Sequence, residues 1–283
     1  MRETFQSALK DRGIAISPNL STMHSTNALT TSERMNLSIV IPVQGHFSQL
    51  LELLGDLDSA GAEVLVVEAE AEAEAEAEAE AEAGQGALIQ ADPLNLRDQC
   101  RLRVQEQGGQ WLSSPASRGA QVALGCEQAR GSWLWVLHAD TRLDLVAIEY
   151  LVKLTTGTQK GWGRFDISFR ENHQRLECVA FFMNWRSRLT RICTGDQGMF
   201  FHRVCLTQVG GFPNQPLMED IEISRLLKSA GEFAFLAPKI TVQASGRRWL
   251  QNGWLKTILS MWRFRLQYFL GKSPEVLYEQ YYR

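Results

Sequence analysis

The side chains best placed to do chemistry stand at the ends of apolar runs. His138-Ala139-Asp140-Thr141 closes the run 133–137. A carboxylate at the end of a buried strand can hold Mg²⁺ or Mn²⁺ against a diphosphate; it can equally cap the helix that follows. Glu219-Asp220 follows Pro216-Leu217-Met218 and opens a helical pattern. Carboxylates there are stabilised by the helix dipole and the free N–H groups of the first turn, or one of them can serve as general base toward a hydroxyl. Gly195-Asp196-Gln197-Gly198 sets a carboxylate and an amide between glycines, which makes either a turn or a site for hydroxyl hydrogen bonds. Arg247-Arg248-Trp249 joins two fixed positive charges to an indole. Arginine can neutralise a departing diphosphate through paired hydrogen bonds; the same residues can also be a solvated helix start.

These residues need a scaffold, and the patterning supplies one. Apolar runs at 37–43, 63–67 and 133–137, with a shorter one at 110–112, read as strands. Helical spacing fills the gaps at 47–60, 96–107 and 119–130. Strands alternating with helices of this length describe βαβ units and a mainly parallel sheet. Ligands of such sheets bind beyond the carboxyl ends of the strands, here the loops after Val43, Val67, Leu112 and Leu137. The second half continues with a strand at 162–169, a helix at 174–191, a strand at 197–202, a helix at 218–230 and a basic aromatic helix at 249–270. No Pro/Gly/Ser-rich linker divides the two halves, so 37–283 is expected to be one α/β domain.

Composition narrows the function. The chain has 283 residues, of which 45% are hydrophobic, 9% aromatic and 22% charged, the range of a globular protein with a real core. It lacks the uninterrupted apolar run of about 18 residues that a membrane-spanning helix needs. Eight of the 32 acidic residues lie in one Ala-Glu repeat; setting those eight aside turns the formal charge of −3 into +5. A mildly basic remainder suits a phosphorylated ligand or an anionic surface. The repeat, at 68–83, has no apolar face and places like charges two and four residues apart, so it is expected to be a solvated, low-complexity insertion. Residues 1–36 are rich in Ser, Thr and Asn and lack an apolar signal core; the segment is expected to be disordered or an artefact of the assigned start, with Met35 as the true one. Five cysteines without a CxxC pair fit reduced thiols in the cytoplasm rather than a disulfide framework or zinc site. No dense basic stripe or recognition motif points to nucleic acid. In 249–270, Trp254, Leu255, Ile258, Leu259, Trp262 and Leu266 recur at helical spacing among Lys256, Arg263 and Arg265. Such a helix either packs on its own domain, the expected outcome, or makes peripheral contact with a membrane.

Taken in order, the chain resembles glycosyltransferase family 2, with its GT-A fold, and within it the bacterial "radical SAM/selenodomain-associated" subgroup. The strings that carry the resemblance are LSIVIPV at 37–43, SRGAQ at 117–121, ARGSWL at 129–134, LHADT at 137–141, RSRLT at 186–190, GDQG at 195–198, GGFP at 210–213, LMED at 217–220 and RRW at 247–249. The resemblance implies an inverting transfer of a sugar from a nucleotide-diphosphate donor to a hydroxyl acceptor of unknown identity, on a Rossmann-like sheet flanked by helices. It implies Asp140 as ligand of a divalent cation, Mn²⁺ or Mg²⁺, and Asp220 as catalytic base with Glu219 in support. It places Pro42, Glu68, Arg118 and Arg248 on the nucleotide and diphosphate, and Asp196, Gln197 and Trp249 on the acceptor side. The chain departs from the family at Gln44-Gly45-His46, where Asn-Glu is common, at Glu68, where Asp-Gly-Gly-Ser is common, and at Ala123, where Asn is usual. These departures cluster in the nucleotide-base half. Two other readings stay open: a degenerate GT-A domain that binds a ligand or partner without turnover, and a nucleotidyltransferase, against which Glu219-Asp220 and Arg247-Arg248-Trp249 argue.

Overall fold

The computed structural model describes residues 36–70, 93–251 and 253–282. All but the last residue of the expected leader and all but the first three residues of the Ala-Glu repeat lie outside the described residues.

The run 37–43 forms β1 (Leu37–Val43), buried at every position, as befits a parallel strand covered on both faces. Helix α1 (Phe47–Leu57) then turns Leu50, Leu53, Leu54 and Leu57 inward at helical spacing. The chain continues through β2 (Glu63–Ala69), α2 (Pro93–Glu106), β3 (Gln110–Ser114), α3 (Arg118–Gln128) and β4 (Trp133–Val136). β2 runs alongside β1 and β3 alongside β2, while β4 lies on the other side of β1, all in parallel. Strand order therefore reverses between β1 and β4, and the crevice beyond their carboxyl ends is where such sheets bind ligands.

The rest of the chain closes around that crevice. It comprises β5 (Arg142–Leu143), α4 (Leu145–Thr155), β6 (Trp162–Phe169), α5 (Gln174–Thr190), a 3₁₀ turn at Gly195–Gln197, β7 (Phe200–His202), α6 (Arg203–Gln208), α7 (Glu219–Ser229), β8 (Ala234–Ala244), α8 (Arg247–Gln251), α9 (Trp254–Phe269) and α10 (Pro274–Tyr282). The eight strands form one sheet in the order β3-β2-β1-β4-β7-β6-β8-β5. β7 is antiparallel to β4 and β6, and β5 to β8, while β6 and β8 are parallel. The result is the expected mixed α/β fold, with a mostly parallel sheet flanked by helices.

Three elements differ from the sequence reading for physical reasons. The strand expected over 197–202 is split, because Gly198 turns with φ +56° and leaves only Phe200–His202 in the sheet. The helix expected over 249–270 breaks into α8 and α9 at Gly253, φ +79°. β8 was not expected at all: it contains Pro238, which has no N–H to give a ladder. The structure accommodates it in a bulge, where the pairing jumps from Phe165 opposite Ala237 to Asp166 opposite Thr241.

Candidate active site

Three local devices set the crevice. Ser117 caps α3 by accepting from the Ala120 N–H, starting the helix directly beside the carboxyl ends of β1 and β2. From α3, the buried Gln121 amide donates to the carbonyls of Val43 at 2.9 Å and Val67 at 2.7 Å, pinning those two strand ends together. α3 approaches the sheet this closely because residue 125 is glycine; a Cβ there would lie 2.3 Å from Val40 Cγ1.

Arg118, the first residue of α3, is the hub of the site. Its Nε donates to the Glu219 carboxylate, and its Nη2 lies 3.7 Å from Asp220 Oδ2. Its Nη1 lies 3.1 Å from His138 Nε2. Guanidinium only donates, so Nε2 must accept, and the ring proton sits on Nδ1. That nitrogen faces Asp196 Oδ1 at 3.0 Å. The geometry thus assigns one tautomer and links Glu219, Arg118, His138 and Asp196 in a single chain of hydrogen bonds. A Cβ on Gly195 would stand 2.5 Å from His138 Nε2, so glycine is required for the turn to press against that ring.

Asp220 is held from two elements. Oδ2 accepts from the Gly195 N–H at 3.0 Å and Oδ1 from the Ile221 N–H at 2.8 Å. α7 has no side-chain cap: Met218 precedes it in the left-handed region, φ 62°, a conformation that costs a non-glycine residue about 1–2 kcal/mol. Part of the capping reading holds, since Asp220 does satisfy a first-turn N–H, but its second bond runs to the 195–197 turn. Glu219 is almost wholly buried. Burial pushes its pKa up from the ordinary 4.5, the Arg118 charge pulls it back, and Asp220 raises it again. Burial works against the charge of Arg118 too, yet Glu219, Asp220 and Asp196 outweigh it and raise the guanidinium's pKa.

These groups open onto a cleft of about 560 Å³ lined by Arg118, His138, Asp140, Asp196, Glu219, Asp220 and Trp249, with α9 closing the far wall through Lys256, Met261 and Arg265. A second hollow of about 370 Å³, lined by Pro42, Gln44, His46 and Gln121, shares Arg118, His138, Asp140 and Pro216 with the first. Asp140 stands at the junction of the two, and Arg170 donates to its backbone carbonyl.

Of the residues expected at the site, Asp140, Asp220, Glu219, Asp196, Arg118 and Trp249 line the larger cleft and Pro42 the smaller. Two lie elsewhere. Gln197 is fully buried, its amide bonded to Ser187 Oγ at 3.0 Å and its oxygen accepting from the Thr194 N–H; it shapes the turn that presents Asp196. Glu68 does not line the clefts, and its carboxylate is engaged by Arg97 and by Trp111 Nε1 at 2.9 Å. The side chain of Arg248 lies outside the described residues. His138, to which the sequence reading gave no role of its own, lines both hollows. The signal was its place two residues before Asp140, where β4 delivers it to the same crevice.

Among the described residues, no three His, Cys, Asp or Glu side chains group as a metal cage. A Mg²⁺-type site needs none, since one or two carboxylates with substrate phosphates are the usual ligand set. Asp140 at the mouth shared by both hollows fits that arrangement.

No protein-family model and no curated protein matches the chain by sequence. Among solved structures, it is similar to the mannosyltransferase PcManGT from Pyrobaculum calidifontis, in complex with GDP-Man and Mn²⁺, at 16% identity and a TM-score of 0.56, covering 88% of this chain and 69% of that one. The two share a fold. It is also similar to residues 1–349 of S. aureus TarS, at 13% identity and a TM-score of 0.49, covering 75% of this chain and 61% of that one.

Proposed function

We propose that the chain is an inverting glycosyltransferase that moves a sugar from a nucleotide-diphosphate donor to a hydroxyl acceptor. The observation that carries this reading is the convergence of Asp140, Asp196, Glu219, Asp220 and Arg118, drawn from four separated stretches of sequence, on one cleft at the sheet's switch point. A fold shared with a mannosyltransferase in complex with GDP-Man and Mn²⁺ supports it.

In this scheme the donor's diphosphate lies across the junction of the two hollows. Asp140 would hold a divalent cation there, which when bound offsets negative charge on the leaving diphosphate. Arg118 adds a fixed cation on the same side. The acceptor oxygen attacks the anomeric carbon from the face opposite the diphosphate; the new C–O bond forms as the C–O bond to phosphate breaks, and its electron pair leaves with the diphosphate. The acceptor's proton passes to Asp220, whose two backbone hydrogen bonds hold it in place. Glu219 keeps Arg118 in place, His138 and Asp196 position one another, and Trp249 supplies an apolar wall for the acceptor side.

The test is a thermal-shift screen of nucleotide sugars with and without Mn²⁺, since a ligand that binds only the native state raises its melting temperature. A donor that protects the wild type in a Mn²⁺-dependent way, and fails to protect Asp140→Ala, is the expected result. Protection by no nucleotide sugar refutes the reading. A second reading, a degenerate domain that binds without turnover, is favoured by one observation: Glu68 is already occupied by Arg97 and Trp111. Donor protection without release of nucleoside diphosphate would decide for it.

A further inference from the structure

The outer face of α9 takes no part in the cleft. Leu255, Leu259, Trp262, Leu266 and Phe269 recur at intervals of three and four, which sets them in one row. All five are more than half exposed, Trp262 at 69%. The opposite face is already in use. Trp254, Ile258 and Met261 pack on a buried cluster formed by Ile167, Leu176, Val179 and Trp249, and Phe264 is buried. Tyr268 donates to Glu222 of α7 at 2.7 Å; burial and that carboxylate push its phenol up to about 12, so it remains a donor. The helix cannot roll to hide its outer row without giving up these contacts.

The charges beside the row have one sign. At about 100° per residue, Arg263 flanks it on one side, Lys256 and Arg265 stand at the two margins it shares with the cleft, and the sequence of α9 holds no acidic residue. α5 packs on the same buried cluster through Leu176, Val179, Ala180 and Met183 and leaves Phe181, Phe182, Trp185 and Leu189 exposed. α5 adds apolar area rather than a row of free charge: the Arg186 guanidinium is buried, Arg188 pairs with Asp166, and Glu177 in its first turn is set against Arg191 at its C-cap.

We propose that this face, the outer row of α9 with that of α5, seats the chain on the surface of an anionic lipid bilayer. An apolar helix face rich in Trp, Phe and Leu, bordered by Lys and Arg, is the chemistry of interfacial binding. Among the described residues no helix is long and apolar enough to cross a membrane, so the contact is peripheral. A second copy of the chain fits poorly, because two α9 rows would oppose like charges with no carboxylate on either α9. The chain's own Ala-Glu repeat has the complementary charge but only alanine with which to cover tryptophan, leucine and phenylalanine. α9 lines the catalytic cleft with Lys256, Met261 and Arg265, so the bilayer and the cleft lie on opposite sides of one helix.

The experiment is flotation of the full chain with phosphatidylcholine vesicles, alone and enriched in phosphatidylglycerol. Binding to the anionic vesicles, weakening as salt is raised, is the expected result. Leu259→Ser with Trp262→Ser should lower the partition coefficient by about tenfold or more, and Arg263→Glu by about fivefold. Leu259 and Trp262 do not line the cleft, so in the double substitution the melting temperature and any protection by donor should stay at wild-type values; this separates failure of the surface from failure of the transferase reading. Absence of flotation with both vesicle types, or flotation unaltered by the double substitution, overturns the proposal. So does light scattering that shows a lipid-free dimer dissociated by the same substitutions, or a large gain of flotation on deleting residues 71–83.

Discussion

Replacing Arg118 by methionine isolates the electrostatics of the site. Glu219 is 3% exposed at its side chain and has Arg118 as its ion-pair partner. Removing one partner of a fully buried pair costs about 3–5 kcal/mol, because the other charge is left uncompensated. Arg118 is itself 40% exposed, and solvent screening reduces the loss to about 1–3 kcal/mol, a shift of several degrees in a domain of this size. The pH dependence carries the diagnosis. Burial raises the pKa of Glu219 above 4.5, and Arg118 opposes that rise. A carboxyl whose folded pKa is raised stabilises the protein below its unfolded pKa, and that stability is lost as pH rises through the folded value. Without Arg118 the folded value rises further, so Arg118→Met should lose most at pH 8 and least near pH 4. Adding Glu219→Gln should restore most of the loss at pH 8. Denaturant titrations of the three proteins at several pH values read this directly. A single-variant loss independent of pH, or one not relieved by Glu219→Gln, would show that the pair does not act as described.

Gly195→Ala places a Cβ 2.5 Å from His138 Nε2 and should displace the ring, breaking its links to Arg118 and Asp196. We expect about 1–3 kcal/mol of destabilisation, together with loss of donor turnover larger than that destabilisation explains; unchanged turnover would remove His138 from the account. His202 caps α6 by accepting from the Val204 N–H through Nδ1 at 3.3 Å, and burial, with Lys160 and Arg203 nearby, lowers its pKa below 6.5. A depressed folded value means stability present above pH 6.5 and lost as pH falls through it. His202→Asn keeps a capping oxygen without a titrating group, so its melting temperature should fall less than the wild type's between pH 7 and pH 5; parallel curves would refute the assignment.

The sheet's first half was legible because β1, β2 and β4 are buried on both faces and read as unbroken apolar runs, and because α1 shows its inward leucines plainly. Asp140 and Asp220 could be named from their places at a strand end and a helix start, and Asp196 from the glycines around it, while Arg118 entered only through the family resemblance. What lay hidden depends on approach in space. β8 was masked by Pro238, whose bulge only makes sense once β6 lies beside it. Gln197 carries the same polar side chain whether it faces a ligand or, as here, Ser187 and Thr194. Glu68 likewise reads as a free carboxylate until Arg97, 29 residues on, folds against it. The amphipathic character of α9 was plain, but which of its sides would find a partner was settled by the cleft, the buried cluster and Glu222.

The central claim is that Asp140 and Asp220 serve one cleft in different roles, and release of nucleoside diphosphate from a Mn²⁺-loaded nucleotide sugar tests it most directly. Asp220→Asn should lower release by about 10²–10⁴-fold while still being protected thermally by the donor, whereas Asp140→Ala should lose both release and protection. Undiminished release in Asp220→Asn, or full donor protection in Asp140→Ala, would contradict the account.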